Sequence, residues 1–539
     1  MRRDAIAWLL VGGSIGLACT PPPSPAPDKA IHPLPPITAG VFARAEDTRL
    51  TLGGRPIRVF GVNASLLHGA GVRAAADDTI DAMGRDHVQV ARVWALGEQD
   101  GDAAWMRDVA FRTGPDRWVE ESFVHLDEVL VRARRRGVRV ILVLANRWGN
   151  RGGFVQYARW DGVTPRGAHL MPAELRHVLT SETARLRYRE HLERLVGRVN
   201  SINGVAYRDD PTIFAWELVN ELSAPTCEVG RAQVAWTDEM SRRIRALDPN
   251  HLIAAGSIGY NSESSRRFWR EVHALPEIGY ADTHAYPQNL LLIDSEARLG
   301  AWLDDRAAEA RAIGRPLVVG EVGVPRLDAR YPDRAAWLGA FLAAAERDGT
   351  DGVLLWMFRP WDGREDPHGI YYAGELAEET ASVRRVIFDA VKRGAAHEPD
   401  EATRPAGEVP IGIETIAPFV LGEWAEGRLE VDPWAIAEGC GDDDDAWVTY
   451  VIPWDPATRR VEAHLEGATE LLVSLDGAPI GSIEGGRFVP VPAAVLPAGE
   501  YATLRLDARG PEGARALARF TRALPAEARI ELRRGALRR

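Results

Sequence analysis

The chain has 539 residues, which is enough for two or three domains with a large hydrophobic core. Its formal net charge is −12 at pH 7, which excludes nucleic acid as the expected partner, because nucleic-acid-binding proteins carry clustered basic residues. None of its three cysteines lies in a His/Cys cluster of the kind that binds structural zinc, so we expect no metal site and no cofactor.

Residues 1–19 are typical of an export signal, because two arginines precede a short apolar stretch that is too short for a membrane span. Residues 16–19 resemble a bacterial lipoprotein signal, in which Cys19 becomes the lipid-bearing first residue; cleavage with full secretion is the alternative. Residues 20–38 are rich in proline and predict a stiff tether. We therefore expect a protein that is secreted or anchored to the bacterial cell envelope, with a lipid at Cys19 as its only membrane contact.

Short apolar strands then alternate with amphipathic helical stretches, after a hairpin signal at Gly53-Gly54. Eight strands are predicted, near Val59 and at residues 88–94, 138–146, 213–220, 252–256, 280–284, 316–321 and 353–356. Helices are predicted at residues 74–83, 123–135, 182–199, 232–247, 297–313 and 334–347. Eight such units that close on themselves form a (β/α)8 barrel, which we assign to residues 39–393. The long connection 147–181 is expected to line its cleft.

Two of the predicted strands end in a glutamate, at Asn220-Glu221 and at Glu321. In a barrel of this type the C-terminal ends of the strands carry the chemistry. Glycoside hydrolysis needs two carboxyl groups, one protonated to donate to the leaving oxygen and one ionised to attack or to activate water. Further polar or aromatic residues follow the other strands at the same end, namely Asn63, Arg92, Trp94, Asn146, Trp148, His284, Tyr286 and Trp356.

The segment 199–221 resembles, almost residue by residue, the endo-β-1,4-mannanases of glycoside hydrolase family 5. Arg92-Val93-Trp94-Ala95, residues 144–148 with 152–153 and 156–157, and His284-Ala285-Tyr286-Pro287 are similar to further motifs of these enzymes, and the resemblance covers about residues 42–391. It implies retaining endo-hydrolysis of β-1,4-linkages in mannan, glucomannan or galactomannan, with Glu221 as acid/base and Glu321 as nucleophile. The implied partner is the β-mannan polysaccharide, and we expect a monomer.

Under this resemblance the site residues take definite roles. Arg92 and Tyr286 are expected to hold Glu321 ionised, which would lower its pKa, whereas the pKa of Glu221 is expected to be raised. Asn220 is expected to bond the sugar 2-OH, and His284 to hold Tyr286 or Glu221.

The remaining predicted contacts are with the sugar chain. Trp356 is expected to form a flat floor for the reacting ring, with Asn146, Trp148 and Trp94 as further substrate contacts. The sequence departs from the family pattern at three places. Leu222 stands where proline is usual, which could loosen the turn that carries Glu221, and Arg147 replaces a commoner asparagine. After Asn63 the usual aromatic residue is missing, since Ala64 and Ser65 follow.

The C-terminal part has a different pattern. Residues 394–409 predict a linker, and the short alternating strands of residues 410–539 predict a small immunoglobulin-like β-sandwich that binds polysaccharide or serves as a spacer. Residues 442–445 are an acidic run that either binds Ca²⁺ or is simply solvated. Cys227 and Cys440 fall in different predicted domains, so no disulfide framework is predicted.

Alternatives remain open at this point. One is a different, cellulase-like β-glycanase, and another is an exo-acting β-mannosidase with a closed cleft. The non-enzyme alternative is an inactive barrel that is retained as a polysaccharide-binding surface lipoprotein, which the intact pair of glutamates disfavours.

Overall fold

The computed structural model describes residues 34–65, 67, 73–99, 110–165, 170, 172–225, 227–260, 263–287, 295–360 and 366–396, together with the strands of the C-terminal part. The predicted export signal, most of the tether and the acidic run 442–445 lie outside these residues. Among the helices that are described, none is both long and apolar enough to cross a membrane.

Three short antiparallel strands come first: β1 (Ala43–Glu46), β2 (Arg49–Leu52) and β3 (Arg55–Ile57). Their apolar residues, such as Leu50 and Ile57, join a core cluster with residues near the starts of the barrel strands, such as Val59 and Val90. The small sheet therefore packs against the N-terminal end of the barrel. The hairpin predicted at Gly53-Gly54 is confirmed, since β2 pairs with β3 across it.

Eight parallel strands form the barrel, and all eight were predicted. They are β4 (Val59–Asn63), β5 (Val90–Trp94), β6 (Arg139–Val143), β7 (Ile213–Glu217), β8 (Leu252–Ala254), β9 (Ala281–Ala285), β10 (Leu317–Val322) and β11 (Gly352–Leu355). The hydrogen-bonded order is β8-β7-β6-β5-β4-β11-β10-β9. The strands at the two ends of that order, β8 and β9, are joined by hydrogen bonds from Gly279 N to Ile253 O (2.8 Å) and from His284 N to Ile258 O (3.1 Å). These bonds close the sheet into a barrel. The (β/α)8 fold is thus confirmed.

Ten helices are described, and they cover the outside of the barrel and its loops. They are α1 (Arg73–Arg85), α2 (Glu120–Arg136), α3 (Gly153–Trp160), α4 (Pro172–Thr180), α5 (Glu182–Val196), α6 (Cys227–Leu247), α7 (Glu263–His273), α8 (Glu296–Ala312), α9 (Arg334–Asp348) and α10 (Ala381–Ala396). The six predicted helices are present. The prediction missed α3, α4, α7 and α10, of which α3 is short, buried over most of its length and begins without a side-chain cap.

Cys227, the first residue of α6, is disulfide-bonded, so the expectation of no disulfide is wrong. The expectation failed because spacing along the chain does not reveal which segments folding brings together. The other two cysteines, Cys19 and Cys440, lie outside the described residues.

After β11 come the parallel pair β12 (Phe358–Arg359) and β13 (Ile370–Tyr371), and the residues of the C-terminal part that the structure describes lie in β-strands. Its strands are β14 (Trp424–Ala425), β15 (Arg428–Leu429), β16 (Ala437–Glu438), β17 (Ala446–Pro453), β18 (Thr458–Glu466), β19 (Glu470–Leu475), β20 (Ala478–Ile483), β21 (Phe488–Pro490), β22 (Tyr501–Arg509), β23 (Arg515–Arg522) and β24 (Glu527–Arg533). They form a β14-β15 pair and two larger antiparallel sheets, ordered β16-β17-β22-β19-β20 and β21-β18-β23-β24. The predicted strands are present, and the immunoglobulin-like class stays a prediction.

Candidate active site

Arg92, near the C-terminal end of β5, is the fully buried centre of the site. Its Nε donates to Glu217 Oε2 at 2.8 Å, and its Nη2 donates to Glu217 Oε1. Nη2 also donates to Asn220 Oδ1 at 2.7 Å. Nη1 donates to Asn63 Oδ1 at 3.0 Å and to Glu321 Oε1 at 2.6 Å. A guanidinium has five N–H donors, and all of them are therefore used.

These contacts confirm that Arg92 holds Glu321, and they add Glu217, a partner that the sequence prediction missed. Burial alone would lower the pKa of Arg92, but the carboxylates of Glu217 and Glu321 raise it. The sequence did carry a signal for this pair: Glu217 is the single charged residue in an apolar strand, and a buried charge requires a partner.

Glu321 is carried by β10 and is 3% exposed. The register between β10 and β9 shifts between Val319 and Glu321, and such a bulge turns the side chain that follows it. The carbonyl of the intervening Gly320 accepts from Asn63 Nδ2 at 2.9 Å. Tyr286 donates its hydroxyl to Glu321 Oε2, as predicted, and burial together with Glu321 raises the pKa of this phenol. Glu321 is thus fixed from two sides.

Glu221 stands just beyond β7 in a left-handed conformation, with φ of 61°. A non-glycine residue is uncommon there, and such strain is retained mostly at functional sites. Leu222 follows Glu221 in this turn, and the expectation that it loosens the turn stays a prediction. Its N–H donates to Gly256 O at 3.3 Å, its carbonyl accepts from Ile258 N at 3.4 Å, and its side chain is 1% exposed. A proline would lack the first of these bonds.

His284 lies between the two carboxyl groups. Its Nδ1 is 2.9 Å from Glu221 Oε1 and 3.6 Å from Glu321 Oε2. One ligand atom from each of the three residues lies within 4.8 Å of the other two. Burial would lower the pKa of His284, but the negative charges of Glu321 and Glu221 raise it. The three groups thus lie in one cluster of interacting charges, and the expectation that His284 contacts Glu221 is confirmed.

The pKa shifts of the two glutamates are the reverse of those expected. Burial raises the pKa of Glu321, and the cations His284 and Arg92 do not fully offset this. Burial also acts to raise the pKa of Glu221, but the hydrogen bond and charge of His284, with the indole of Trp148, lower it below its ordinary value. The sequence-based expectation considered a cation beside Glu321 only, whereas in the structure the imidazole of His284 is hydrogen-bonded to Glu221. The contact with His284 is therefore what separates the pKa shifts of the two glutamates.

The predicted substrate contacts lie around this cluster at different depths. Trp148 donates its indole N–H to Glu221, and the guanidinium of Arg147 lies 4.8 Å from the Trp148 ring. Trp356 is partly exposed, and its ring centroid lies 5.9 Å from that of Trp94. Trp94 is itself only 4% exposed, so it lies behind Trp356. A direct sugar contact of either tryptophan stays a prediction.

The two predicted asparagines are bonded to each other. Asn220 Nδ2 donates to Asn146 Oδ1 at 3.0 Å, while Asn220 Oδ1 accepts from Arg92. These two bonds fix which end of the Asn220 amide is the oxygen. Asn146 is fully buried, and its Oδ1 also accepts from Trp148 N at 3.3 Å. The structure therefore gathers all ten predicted site residues at one end of the barrel, with Asn146 supporting Asn220.

Residues 42–338 match the model of the family described as glycoside hydrolase family 5 β-mannosidase-like. The chain belongs to glycoside hydrolase family 5. Among the relatives of this glycoside hydrolase is mannan endo-1,4-β-mannosidase 1 of Oryza sativa subsp. japonica, with 32% identity over 59% of this chain and 78% of that one. Putative mannan endo-1,4-β-mannosidase 9 of the same plant is 30% identical over 60% of this chain and 82% of its own.

Solved structures agree with this assignment. The hyperthermostable endo-1,4-β-D-mannanase from Thermotoga petrophila RKU-1 is 25% identical, with a TM-score of 0.52 over 61% of this chain and 99% of that one. The endo-1,4-β-mannanase from Rhizomucor miehei, at 22% identity, has the same fold, with a TM-score of 0.55 over 65% of this chain and 99% of that one. The family match ends before the C-terminal sheets of this glycoside hydrolase, whose role stays a prediction.

Proposed function

We propose that this glycoside hydrolase is an endo-β-1,4-mannanase that cleaves mannan, glucomannan or galactomannan with retention of configuration. The observation that carries the retaining mechanism is the closeness of Glu221 and Glu321, since one oxygen of each lies within 4.8 Å of the other. Retaining enzymes hold their two carboxyl groups about 5–5.5 Å apart, whereas inverting enzymes need about 6.5–9.5 Å to fit a water molecule. The mannan substrate is supported by the names of the relatives, which are mannan endo-1,4-β-mannosidases.

In the first step Glu221 donates a proton to the glycosidic oxygen while Glu321 forms a bond to the anomeric carbon. The bond to the leaving sugar breaks, and a glycosyl-enzyme remains. The proton comes from the Glu221–His284 pair, whose atoms are 2.9 Å apart. Across this contact the imidazole can pass a proton to Glu221, which then gives it to the leaving oxygen.

In the second step water attacks the anomeric carbon and gives its proton to Glu221, and Glu321 departs as a carboxylate. Arg92 and Tyr286 stabilise this departing charge, because both donate hydrogen bonds to Glu321. The oxygen of Asn220 is held beside Arg92 and retains a lone pair for the sugar 2-OH, a contact that strengthens in the transition state.

The test is the size and configuration of the products from mannan, glucomannan and cellulose. We expect short manno-oligosaccharides of mixed length at early times, a rapid loss of mannan viscosity, and the β-anomer as the first product by NMR. Release of mannose alone would indicate an exo-mannosidase, and cello-oligosaccharides from cellulose would indicate a different β-glycanase. Binding of mannan without any product would indicate an inactive barrel.

We also propose that the protein acts outside the cytoplasm. The export pattern at residues 1–19 supports this location, and so does the disulfide bond of Cys227, since disulfides persist mainly in oxidising compartments.

A further inference from the structure

Glu98 is a buried carboxyl group that takes no part in the proposed reaction. It lies four residues beyond the end of β5 and is 1% exposed, and its backbone forms an isolated parallel β-bridge with Arg112. A carboxyl group is almost never buried without partners, so its contacts indicate what it does.

The partners of Glu98 lie in the segment that follows Trp148. Glu98 Oε2 accepts from Gly153 N at 2.9 Å, and Oε1 accepts from the hydroxyl of Tyr157 at 2.8 Å. Glu98 N donates in turn to Arg151 O at 3.2 Å. The carboxyl group therefore bonds both the turn at residues 151–153 and the helix α3 that begins there.

The same turn is confined from both sides by backbone. A Cβ on Gly152 would lie 1.8 Å from Glu98 O, and a Cβ on Gly153 would lie 2.0 Å from Asn146 O. Both glycines have positive φ, of 86° and 54°, which other residues rarely adopt. The chain is thus in close contact with Glu98 on one side and with Asn146 on the other.

This confined segment includes residues that contact the catalytic pair. Phe154 N donates to Asn146 O at 2.8 Å, and Asn146 bonds Asn220. Trp148 lies between these points and donates its indole N–H to Glu221. A shift of the turn at residues 151–153 would therefore be transmitted to the indole that bonds Glu221.

We propose that Glu98 is a positioning residue of the active site, which clamps the segment 146–153 and thereby holds the indole of Trp148 on Glu221. The proposal rests on the proposed function for its effect on catalysis, but the clamp itself is a property of the folded chain.

Protonation of Glu98 adds a pH-dependent contribution to the stability of the protein. The groups that face it are Arg112, Tyr157 of α3 and Tyr188 of α5, with the Gly97 backbone. Burial raises the pKa of Glu98 from 4.5 to about 7, although Tyr157, Gly153 and Arg112 each act to lower it. The folded protein therefore binds this proton more tightly than the unfolded chain does. The contribution of Glu98 to the free energy of unfolding therefore falls as the pH rises from about 4.5 to about 7.

Glutamine at this position keeps the shape of the neutral clamp and cannot ionise. Its amide oxygen would accept from Gly153 N–H, and its amide N–H would be donated to the Tyr157 oxygen. Alanine removes both bonds. A matched control is Glu309→Gln on α8, because Glu309 is also buried, at 6% exposed, and is bonded by Arg270 at 2.8 Å.

The experiment compares the wild-type protein with Glu98→Gln, Glu98→Ala and Glu309→Gln from pH 5 to pH 9. The readouts are Tm, kcat and KM on mannan, and hydrogen exchange of residues 146–153. For Glu98→Ala we expect faster exchange in this segment and a fall in kcat of up to about a hundredfold, with KM changed by less than about threefold. For Glu98→Gln we expect wild-type exchange and kcat at pH 6. The decline of Tm between pH 5 and pH 7.5 should be smaller than in the wild type and in Glu309→Gln.

Unchanged exchange and kcat in a folded Glu98→Ala protein would overturn the proposal. If the alanine variant does not fold, Tyr157→Phe decides by the same readouts, because it removes the hydroxyl that donates to Glu98 Oε1: faster exchange of residues 146–153 supports the clamp, and unchanged exchange overturns it. If the wild type degrades no mannan, the proposed function fails by itself, and the exchange and Tm measurements still decide whether Glu98 is a clamp.

Discussion

Replacing Glu217 by alanine removes the two acceptors that the carboxylate gives to Arg92. The guanidinium is fully buried, so no water replaces them. Leaving a buried charge without its partner costs about 3–5 kcal/mol. For a barrel of roughly 350 residues, with an unfolding entropy of about 2.1 cal/mol/K per residue, this corresponds to a loss in Tm of about 4–7 °C. The loss of kcat should be on the order of a hundredfold, because Arg92 is free to turn away from Glu321.

The assay is calorimetry together with steady-state kinetics on mannan. The matched control is Asp127→Ala on α2, because Asp127 is also fully buried and bonds an arginine through both oxygens, to Arg198 at 2.8 and 2.7 Å. We expect this control to lower Tm by a comparable amount while kcat stays within about twofold of the wild type, since Arg198 is not at the site. Wild-type kcat in Glu217→Ala, or an equal loss of kcat in Asp127→Ala, would refute the role of Glu217 in orienting Arg92.

Three further predictions concern the roles of the glutamates, metals and location. Glu321→Ala should abolish turnover, whereas Glu221→Ala should show a burst on dinitrophenyl β-mannobioside and be rescued by azide, because this leaving group needs no proton; the opposite result would exchange the two roles. Dialysis against a chelator should leave activity unchanged, since His284 already bonds Glu221 and lies between the two carboxyl groups; loss of activity with recovery on adding a divalent cation would instead indicate a metal site. Cys19→Ser should remove the protein from the membrane fraction, and unchanged partitioning would favour simple secretion.

The eight barrel strands were predictable because each is an apolar run that is followed by a polar or aromatic side chain. Strands of a parallel sheet are buried on both faces, so their pattern is nearly continuous. The order of the strands then brings their C-terminal ends together, which is why Arg92, Tyr286 and Glu321 were expected to meet. The contacts of Arg92 and Tyr286 with Glu321 confirm this expectation.

The features that the sequence did not predict depend on contacts between different strands. The residue pattern of a single strand does not reveal such contacts. Glu217 was not among the predicted site residues, because its partner Arg92 lies on another strand. The pKa order of Glu221 and Glu321 was wrong because it depends on which carboxylate His284 contacts, and the two Nδ1 distances differ by less than 1 Å, at 2.9 and 3.6 Å. The left-handed turn at Glu221 has no sequence signal, since glycine is the residue that usually marks such a φ.

All five N–H donors of Arg92 have acceptors, and this limits how related sequences can diverge at the site. Each of its five donors ends on Asn63, Glu217, Asn220 or Glu321, so no single one of these residues can change without leaving a buried donor unsatisfied. Lysine in place of Arg92 would offer only three donors and no planar fork. These five positions should therefore vary among homologues as one inherited unit, and a library of single substitutions should find them intolerant even where the replaced residue never touches a sugar.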